Sequence, residues 1–393
     1  MNQVGSALQS RSSRRTLSSL VLGTGFGLTG AGTVMLGVML PALAQIWGLR
    51  DDSSGLLFFL QFVGSSLGAI LTGRNHVRTL RMGYGLLVVA SCALAFTGRE
   101  LSFVVFFCFG LGLGMAMTST SLLFSERYAD NRAALLERIN FAWSAGALSG
   151  TVLFLPFLRL ANPRPLFFAF AAIFLLLLFW TLIRERSGEA RAQVEKGVAQ
   201  TQQFVPLRWL LPLLVLAIGS IGIESSLSGW LTTYSHRTDP RTAMGVTLAT
   251  SLFWLGMVFG RLVFSTRLLA IVGRQTLLRM ALWGAAISVT LIIAASGLAL
   301  IRVAAGLAGF CVGPLYPLLL SFLLERSPRG WILGISGTGA ALFPWLTGLL
   351  SEHYGSLRYG LGAPWGAALL MILLLPICFR AAEAPAPRTA SHT

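Results

Sequence analysis

Apolar runs of about 20 residues recur through this chain from residue 17 almost to its end, and each is long enough to cross a bilayer as a helix. A soluble core cannot absorb so many fully apolar helices. Only 11% of the 393 residues are charged and 55% are hydrophobic, against about 25% charged in a soluble domain. The expectation is an all-α polytopic membrane protein with twelve transmembrane helices in two six-helix halves. The spans fall near 17–44, 53–73, 80–97, 101–124, 133–158 and 165–183, then near 208–234, 243–265, 276–296, 299–324, 331–350 and 361–379. This divides the chain into an N-terminal half with its tail (1–183), a linker (184–207), a C-terminal half (208–380) and a tail (381–393). The linker contains RERSGEARAQVEKGVAQTQQF, the longest polar stretch in the interior.

The net charge of +16 does not point to nucleic acid, because the basic residues lie in small groups between apolar runs. They do set an orientation. With both tails and the linker on one side, that side holds 22 of the 30 Lys and Arg residues, and the other holds 8. Basic loops stay cytoplasmic, so both termini and the linker are expected in the cytoplasm. SRRTL (13–17) resembles a twin-arginine signal only faintly. It reads better as a positive flank of the first span, since eleven more runs follow.

Two enzyme-like patterns fail the test of context. GFGLTG (25–30) fits a dinucleotide-binding GxGxxG, but no strand precedes it. GSSLG (64–68) fits a nucleophile elbow, but it lies within a span where no strand–turn–helix can form. In both, small residues suit close helix contact. The four cysteines and four histidines lack metal-ligand spacing, and there is no Walker-type phosphate loop. An enzyme, a cofactor and a metal are therefore not expected.

Of the fourteen acids, only Glu224 lies deep within a span. An acid in hydrocarbon costs about 3 kcal/mol on insertion scales, and such groups face a bundle interior or a water-filled path. Ser220, Glu224 and Ser228 recur every four residues and form one polar stripe, while Gly222, Ser226 and Gly229 lie on another side suited to helix contact. Glu224 is thus a candidate for substrate binding and proton coupling. The alternative is a glutamate that hydrogen-bonds a neighbouring helix. Gln61, Asn140, Trp143, Trp254 and Tyr316 also fall at mid-membrane depth, as do Thr118, Ser121 and Thr338. Amides bond hydroxyls and aromatic faces stack on C–H surfaces, which suits a polyol, although each group alone is more often a packing residue. Pro314 and Pro317 flank Tyr316 and should break span ten locally, freeing backbone carbonyls.

Taken in order, LGVMLPALAQIWGL, FLQFVGSSLGAIL, GLGLGMAMTSTSLLF, RAALLERINFAWSAGALSG, IGIESSLSGWLTTY, FWLGMVFGRL, GPLYPLLLSFLLE and GTGAALFPWLTGLLSEHYG resemble spans one, two, four, five, seven, eight, ten and eleven of the fucose permease-like branch of the major facilitator superfamily. The resemblance implies two halves that rock about a central site open alternately to each side. It implies secondary transport of a small polar solute, a sugar first of all, in a monomer within the lipid bilayer, with a proton as candidate co-substrate. Two departures stand out. Gly37 and Met117 occupy positions where the family carries acids, and Thr72-Gly73-Arg74 lacks the acid of the superfamily's gating loop. Coupling would then rest on Glu224. An exporter of amphiphilic or drug-like compounds on the same fold is the competing reading, since many aromatics and one carboxylate suit a lipophilic cation.

The charge asymmetry predicts that a cytoplasm-active reporter works when fused after Arg388 or inserted near Gly197, and is silent when inserted at Ser235–Asp239. Disagreement between the tail and linker reporters would rule out an even number of spans between them.

Overall fold

A computed structural model describes the backbone of residues 2–127, 132–159, 162–185, 207–240, 243–264, 269–326 and 331–383. Side-chain surroundings are described for 19–125, 139–158, 162–183, 210–240, 247–264, 271–323 and 335–379. The elements run α1 (Asn2–Trp47), α2 (Asp51–Ile70), α3 (His76–Leu94), α4 (Arg99–Arg127), α5 (Arg132–Leu153), α6 (Leu155–Arg159) and α7 (Arg164–Glu185). They continue with α8 (Leu207–Thr238), α9 (Ala243–Val263), α10 (Leu269–Val272), α11 (Arg274–Ala294), α12 (Leu298–Val312), α13 (Leu315–Arg326), α14 (Trp331–Tyr354), α15 (Leu357–Gly360) and α16 (Gly362–Glu383). Among the described residues, ten helical stretches are long and apolar enough to cross a membrane, and Thr247–Val263 within α9 is a shorter apolar helix. The expected linker and C-terminal tail lie outside the described residues, apart from the helix ends that border them.

Two breaks have a visible cause in sequence. The run near 133–158 is interrupted at Phe154, two residues before Pro156, and continues as α6. The run near 299–324 is interrupted at Gly313-Pro314, as Pro314 and Pro317 lead one to expect, and resumes as α13. Other prolines, Pro41, Pro212, Pro344 and Pro376, are carried inside helices without ending them.

The chain forms two compact units. The first comprises Met1–Trp47 with Val63–Glu189, and the second Gly48–Phe62 with Ala190–Thr393, so the division passes through α2. In the first unit α1 packs on α5, and α3 packs on both α4 and α7. The α1–α5 seam is close because both sides lack a side chain: a Cβ on Gly146 would collide with the backbone carbonyl of Gly27. Behind it lies an aromatic interior in which Phe106, Phe109, Phe170 and Phe174 pack edge to face or tilted. Arg81 of α3 donates to the carbonyl of Thr181 on α7 at 2.6 Å.

In the second unit α9 packs on α12, and α8 packs on α14, α16 and α9. Here too small residues set the approach: a Cβ on Gly309 would strike the carbonyl of Phe253, and one on Gly339 the carbonyl of Ile218. Gly222 makes room for the Phe343 ring and Gly229 for that of Phe58, while Thr347 donates to Ser226 at 3.3 Å. That side of α8 is therefore the packing side expected from the sequence. Trp230 donates its ring N–H to the Pro344 carbonyl at 3.0 Å, Thr232 and Thr250 share a hydrogen bond of 2.8 Å, and Tyr234 donates to the Ile292 carbonyl at 3.1 Å. Outward-facing positions within the spans include apolar side chains such as Leu176 and Leu373, both more than two-thirds exposed, as a lipid-facing surface requires.

Replacing Gly309 by leucine must push α12 away from α9, since the obstacle is backbone rather than a mobile side chain. Overpacking of this kind costs about 1–3 kcal/mol. Thermal melting of purified protein in detergent should show a clear drop for Gly309→Leu, while leucine at Gly366, where a Cβ meets nothing within 4 Å, should leave the melt almost unchanged.

Candidate functional site

Six residues were expected to line a solute path, and they divide between the units. Asn140 and Trp143 lie one turn apart on α5 of the first unit, Asn140 exposed and Trp143 half-buried. Gln61, Glu224, Trp254 and Tyr316 belong to the second unit. Gln61 and Trp254 are each 1% exposed, and Trp254 meets Phe253 edge to face.

Glu224 and Tyr316 are brought into one electrostatic neighbourhood, and the group that organises it is Arg261. In the sequence Arg261 counts among the cytoplasmic-side cations, near the end of the run at 243–265. In the structure it lies in the last turn of α9, two turns after Trp254 and on the same face, and its Nη2 stands 3.6 Å from Glu224 Oε2. That it meets Glu224 was not legible in the sequence, because the two stand on different helices.

The same guanidinium reaches the helix break. Its Nε donates to the carbonyl of Gly313 at 3.3 Å. In an unbroken helix that carbonyl would accept from residue 317, but residue 317 is proline and has no N–H. The proline pair thus frees an acceptor, and Arg261 takes it. Three residues on, the Tyr316 hydroxyl shares a 3.1 Å hydrogen bond with Ser336 of α14.

The serine stripe on α8 is less available than its spacing suggests. Ser220 donates to the Ala217 carbonyl at 2.9 Å and Ser228 to that of Ser225 at 3.3 Å, so both hydroxyls turn back on their own helix. Ser121 and Thr338 do the same, to Met117 and Ile335. What α8 offers at this depth is chiefly the Glu224 carboxyl.

A second polar cluster was not foreseen. Asp51, at the start of α2, accepts from Arg237 of α8 through both oxygens, at 2.5 and 2.7 Å, and from Ser351 of α14 at 2.5 Å. Glu352 accepts from the Asp51 backbone N–H at 3.1 Å and pairs with Arg50 at 2.7 Å. These acids read as ordinary loop residues in the sequence, because their partners are distant in the chain and only folding joins them. The bidentate geometry is that of a strong, fixed carboxylate–guanidinium contact. Asp51→Asn should lower the melting temperature measurably, by the equivalent of roughly 2 kcal/mol. A charge-neutral double change, Asp51→Asn with Arg237→Gln, should recover part of the loss, and a melt unchanged in the single variant would deny the cluster a structural role.

The broader comparisons agree with this architecture. The Major Facilitator Superfamily description matches residues 22–329. No curated protein matches the chain. Among solved structures, a POT family transporter in complex with a thioalcohol-conjugated peptide superposes with a TM-score of 0.76 at 14% identity, covering 94% of this chain and 97% of that one. A D-xylose-proton symporter gives 0.70 at 17% identity, with 94% and 97% covered. The nucleoside transporter NupG gives 0.69 at 14% identity, with 93% and 98% covered. At such low identity these likenesses speak to the fold alone. Together with a family match across most of the chain, they establish that this multi-pass membrane protein belongs to the Major Facilitator Superfamily.

Proposed function

We propose that the chain is a secondary active transporter that moves a small polar solute, a sugar or a compound close to one, across a bacterial inner membrane by alternating access. In this reading it is a monomer of twelve spans, with halves at 1–183 and 208–380, linker and tails in the cytoplasm, and a fucose permease-like ancestry. Gln61, Asn140, Trp143, Trp254 and Tyr316 supply hydrogen bonds and ring faces to the solute, and Glu224 carries the coupling proton. The choice of a hydroxylated solute rests on those amides and ring faces, since the fold is shared with a D-xylose-proton symporter, a nucleoside transporter and a peptide-bound POT family transporter alike.

The observation that carries the reading is the Glu224–Arg261 pair inside an apolar bundle, beside Tyr316 and a broken helix. Taking up a proton at Glu224 removes one charge of the pair and must change what Arg261 and its neighbours prefer to contact. A proton and a solute that bias the same conformational equilibrium are coupled. The competing reading, export of amphiphilic or drug-like compounds, has less support for its cationic members, because the carboxylate that would attract a cation already faces a guanidinium.

Glu224→Gln keeps the shape of the side chain and mimics its protonated form. In proteoliposomes loaded with radiolabelled sugars, the variant should still exchange solute across the membrane but lose accumulation driven by an imposed pH gradient. Gradient-driven accumulation that persists in full would take the proton role away from Glu224.

A further inference from the structure

The triplet Leu-Arg-Met occurs twice, as Leu80-Arg81-Met82 in α3 and as Leu278-Arg279-Met280 in α11. The two helices have matching neighbours, since α3 packs on α7 and α11 packs on α16. Arg81 meets Thr181 of α7 and Arg279 meets Phe379 of α16, in both cases across 100 residues of chain. The two arginines are treated differently. Arg81 is half-buried and donates to the Thr181 carbonyl. Arg279 is exposed, and its guanidinium lies 5.0 Å from the centre of the Phe379 ring. A ring face attracts the cation but brings no negative charge to balance it. The described parts of α11 and α16 hold no Asp or Glu, and among the described residues no carboxylate pairs with Arg279. We propose that Arg279, together with Trp283, binds the phosphate of an anionic phospholipid at the end of the bundle where α11 begins and α16 ends.

The surroundings are those of a lipid-facing surface. Arg279, Trp283 and Ile287 recur every four residues and share one face of α11, and Trp283 and Ile287 are both more than half exposed. All three lie within Arg274–Ala294, a helix long and apolar enough to cross the membrane. Arg279 stands about 7.5 Å along the axis from the start of that helix, close to the boundary between head groups and hydrocarbon. An arginine at this depth usually extends its stem towards water. Arg279 instead lies against Phe379, so its charge stays beside the lipid. A charge held there calls for a counter-charge at the same depth. A phospholipid brings its phosphate to that level with its chains already in hydrocarbon. Trp283 adds an indole N–H one turn deeper, and indoles favour this boundary. Further in, the exposed Ile287 of α11 and the exposed Leu370 and Leu373 of α16 suit acyl chains.

Charge decides the lipid class. The planar guanidinium takes two phosphate oxygens at once. A zwitterionic head group carries its own cation next to that phosphate, whereas phosphatidylglycerol keeps a net negative charge. One arginine near the membrane surface favours an anionic lipid by about fivefold. Because Arg279 belongs to α11 and rests on Phe379 of α16, the bound lipid touches both helices and ties their ends together. Binding to the folded form alone then raises thermal stability. None of these contacts involves Glu224 or Arg261, so the lipid site is independent of the transported solute.

The test uses the purified full chain in detergent, titrated with dioleoylphosphatidylglycerol or dioleoylphosphatidylcholine. Bound lipids are counted by native mass spectrometry, and melting is followed in parallel. The native protein should bind its first phosphatidylglycerol about fivefold more tightly than phosphatidylcholine, and only phosphatidylglycerol should raise the melting temperature. Arg279→Gln should melt normally in phosphatidylcholine, lose the preference and lose the rise. Arg279→Lys should keep most of the preference, since the charge remains. Trp283→Phe, which keeps a ring and removes the N–H, should weaken it partly. Arg164→Gln removes an equal charge from the exposed start of α7 and should leave the preference intact. Inorganic phosphate should not reproduce the rise. Three results would overturn the proposal: equal binding of the two lipids by the native protein, a preference that survives in Arg279→Gln, or a melting rise produced as fully by inorganic phosphate. The second would mean that other basic groups hold the lipid and that Arg279 merely reaches the water boundary.

Discussion

No water is available inside a bilayer to a carboxylate or to a backbone carbonyl that has lost its donor, so each must find its partner within the protein. Arg261 answers both demands at one point. It faces the charge of Glu224 on α8 and takes the Gly313 carbonyl that Pro317 leaves without a donor. The break between α12 and α13 is tolerable because α9 presents a long cationic side chain beside it. Removing the arginine would expose an acid and a carbonyl together, which is why the acid, the proline pair and the arginine are best understood as one device.

The device depends on close helix packing around it. α9 and α12 approach backbone to backbone at Gly309, and α8 and α14 do so at Gly339. In lipid, helices gain little by hiding apolar surface from one another, and close approach supplies the dispersion contacts that hold them. The same logic joins α1 to α5 in the first unit through Gly27 and Gly146. The small-residue patterns that mimic enzyme motifs in the sequence are therefore explained by packing: Gly27 and Gly30 of GFGLTG face α5, and Gly64 and Gly68 of GSSLG face carbonyls of α4.

Two carboxylate–arginine contacts in the second unit illustrate how geometry separates roles. Asp51 is held by two guanidinium nitrogens and a serine hydroxyl, which fix both of its oxygens. Glu224 meets Arg261 through one longer contact. The first arrangement anchors helix ends. The second is a single, longer contact deep in the helix bundle.

Much was legible in the residues alone. Span length and the scarcity of charge dictated membrane helices, because an apolar run of about 20 residues has few other uses. The isolation of Glu224, the packing side of α8 at Gly222, Ser226 and Gly229, and the break at Pro314 and Pro317 also follow from local chemistry and helical period. The serines of the polar stripe were over-read, because spacing shows which face a hydroxyl occupies and not that it will turn back to its own helix. Arg261 and the Asp51 cluster were not legible as partners. Asp51 and Arg237 are 186 residues apart, and Arg261 reaches Gly313 across 52. Sequence by itself determined where helices run, where they break and which acid is isolated, since those depend on covalent neighbours and apolar length. Which cation meets that acid, and how loosely, was decided only by tertiary structure, because a charge in a low-dielectric interior is governed by whatever the packing of other helices places within a few ångströms of it.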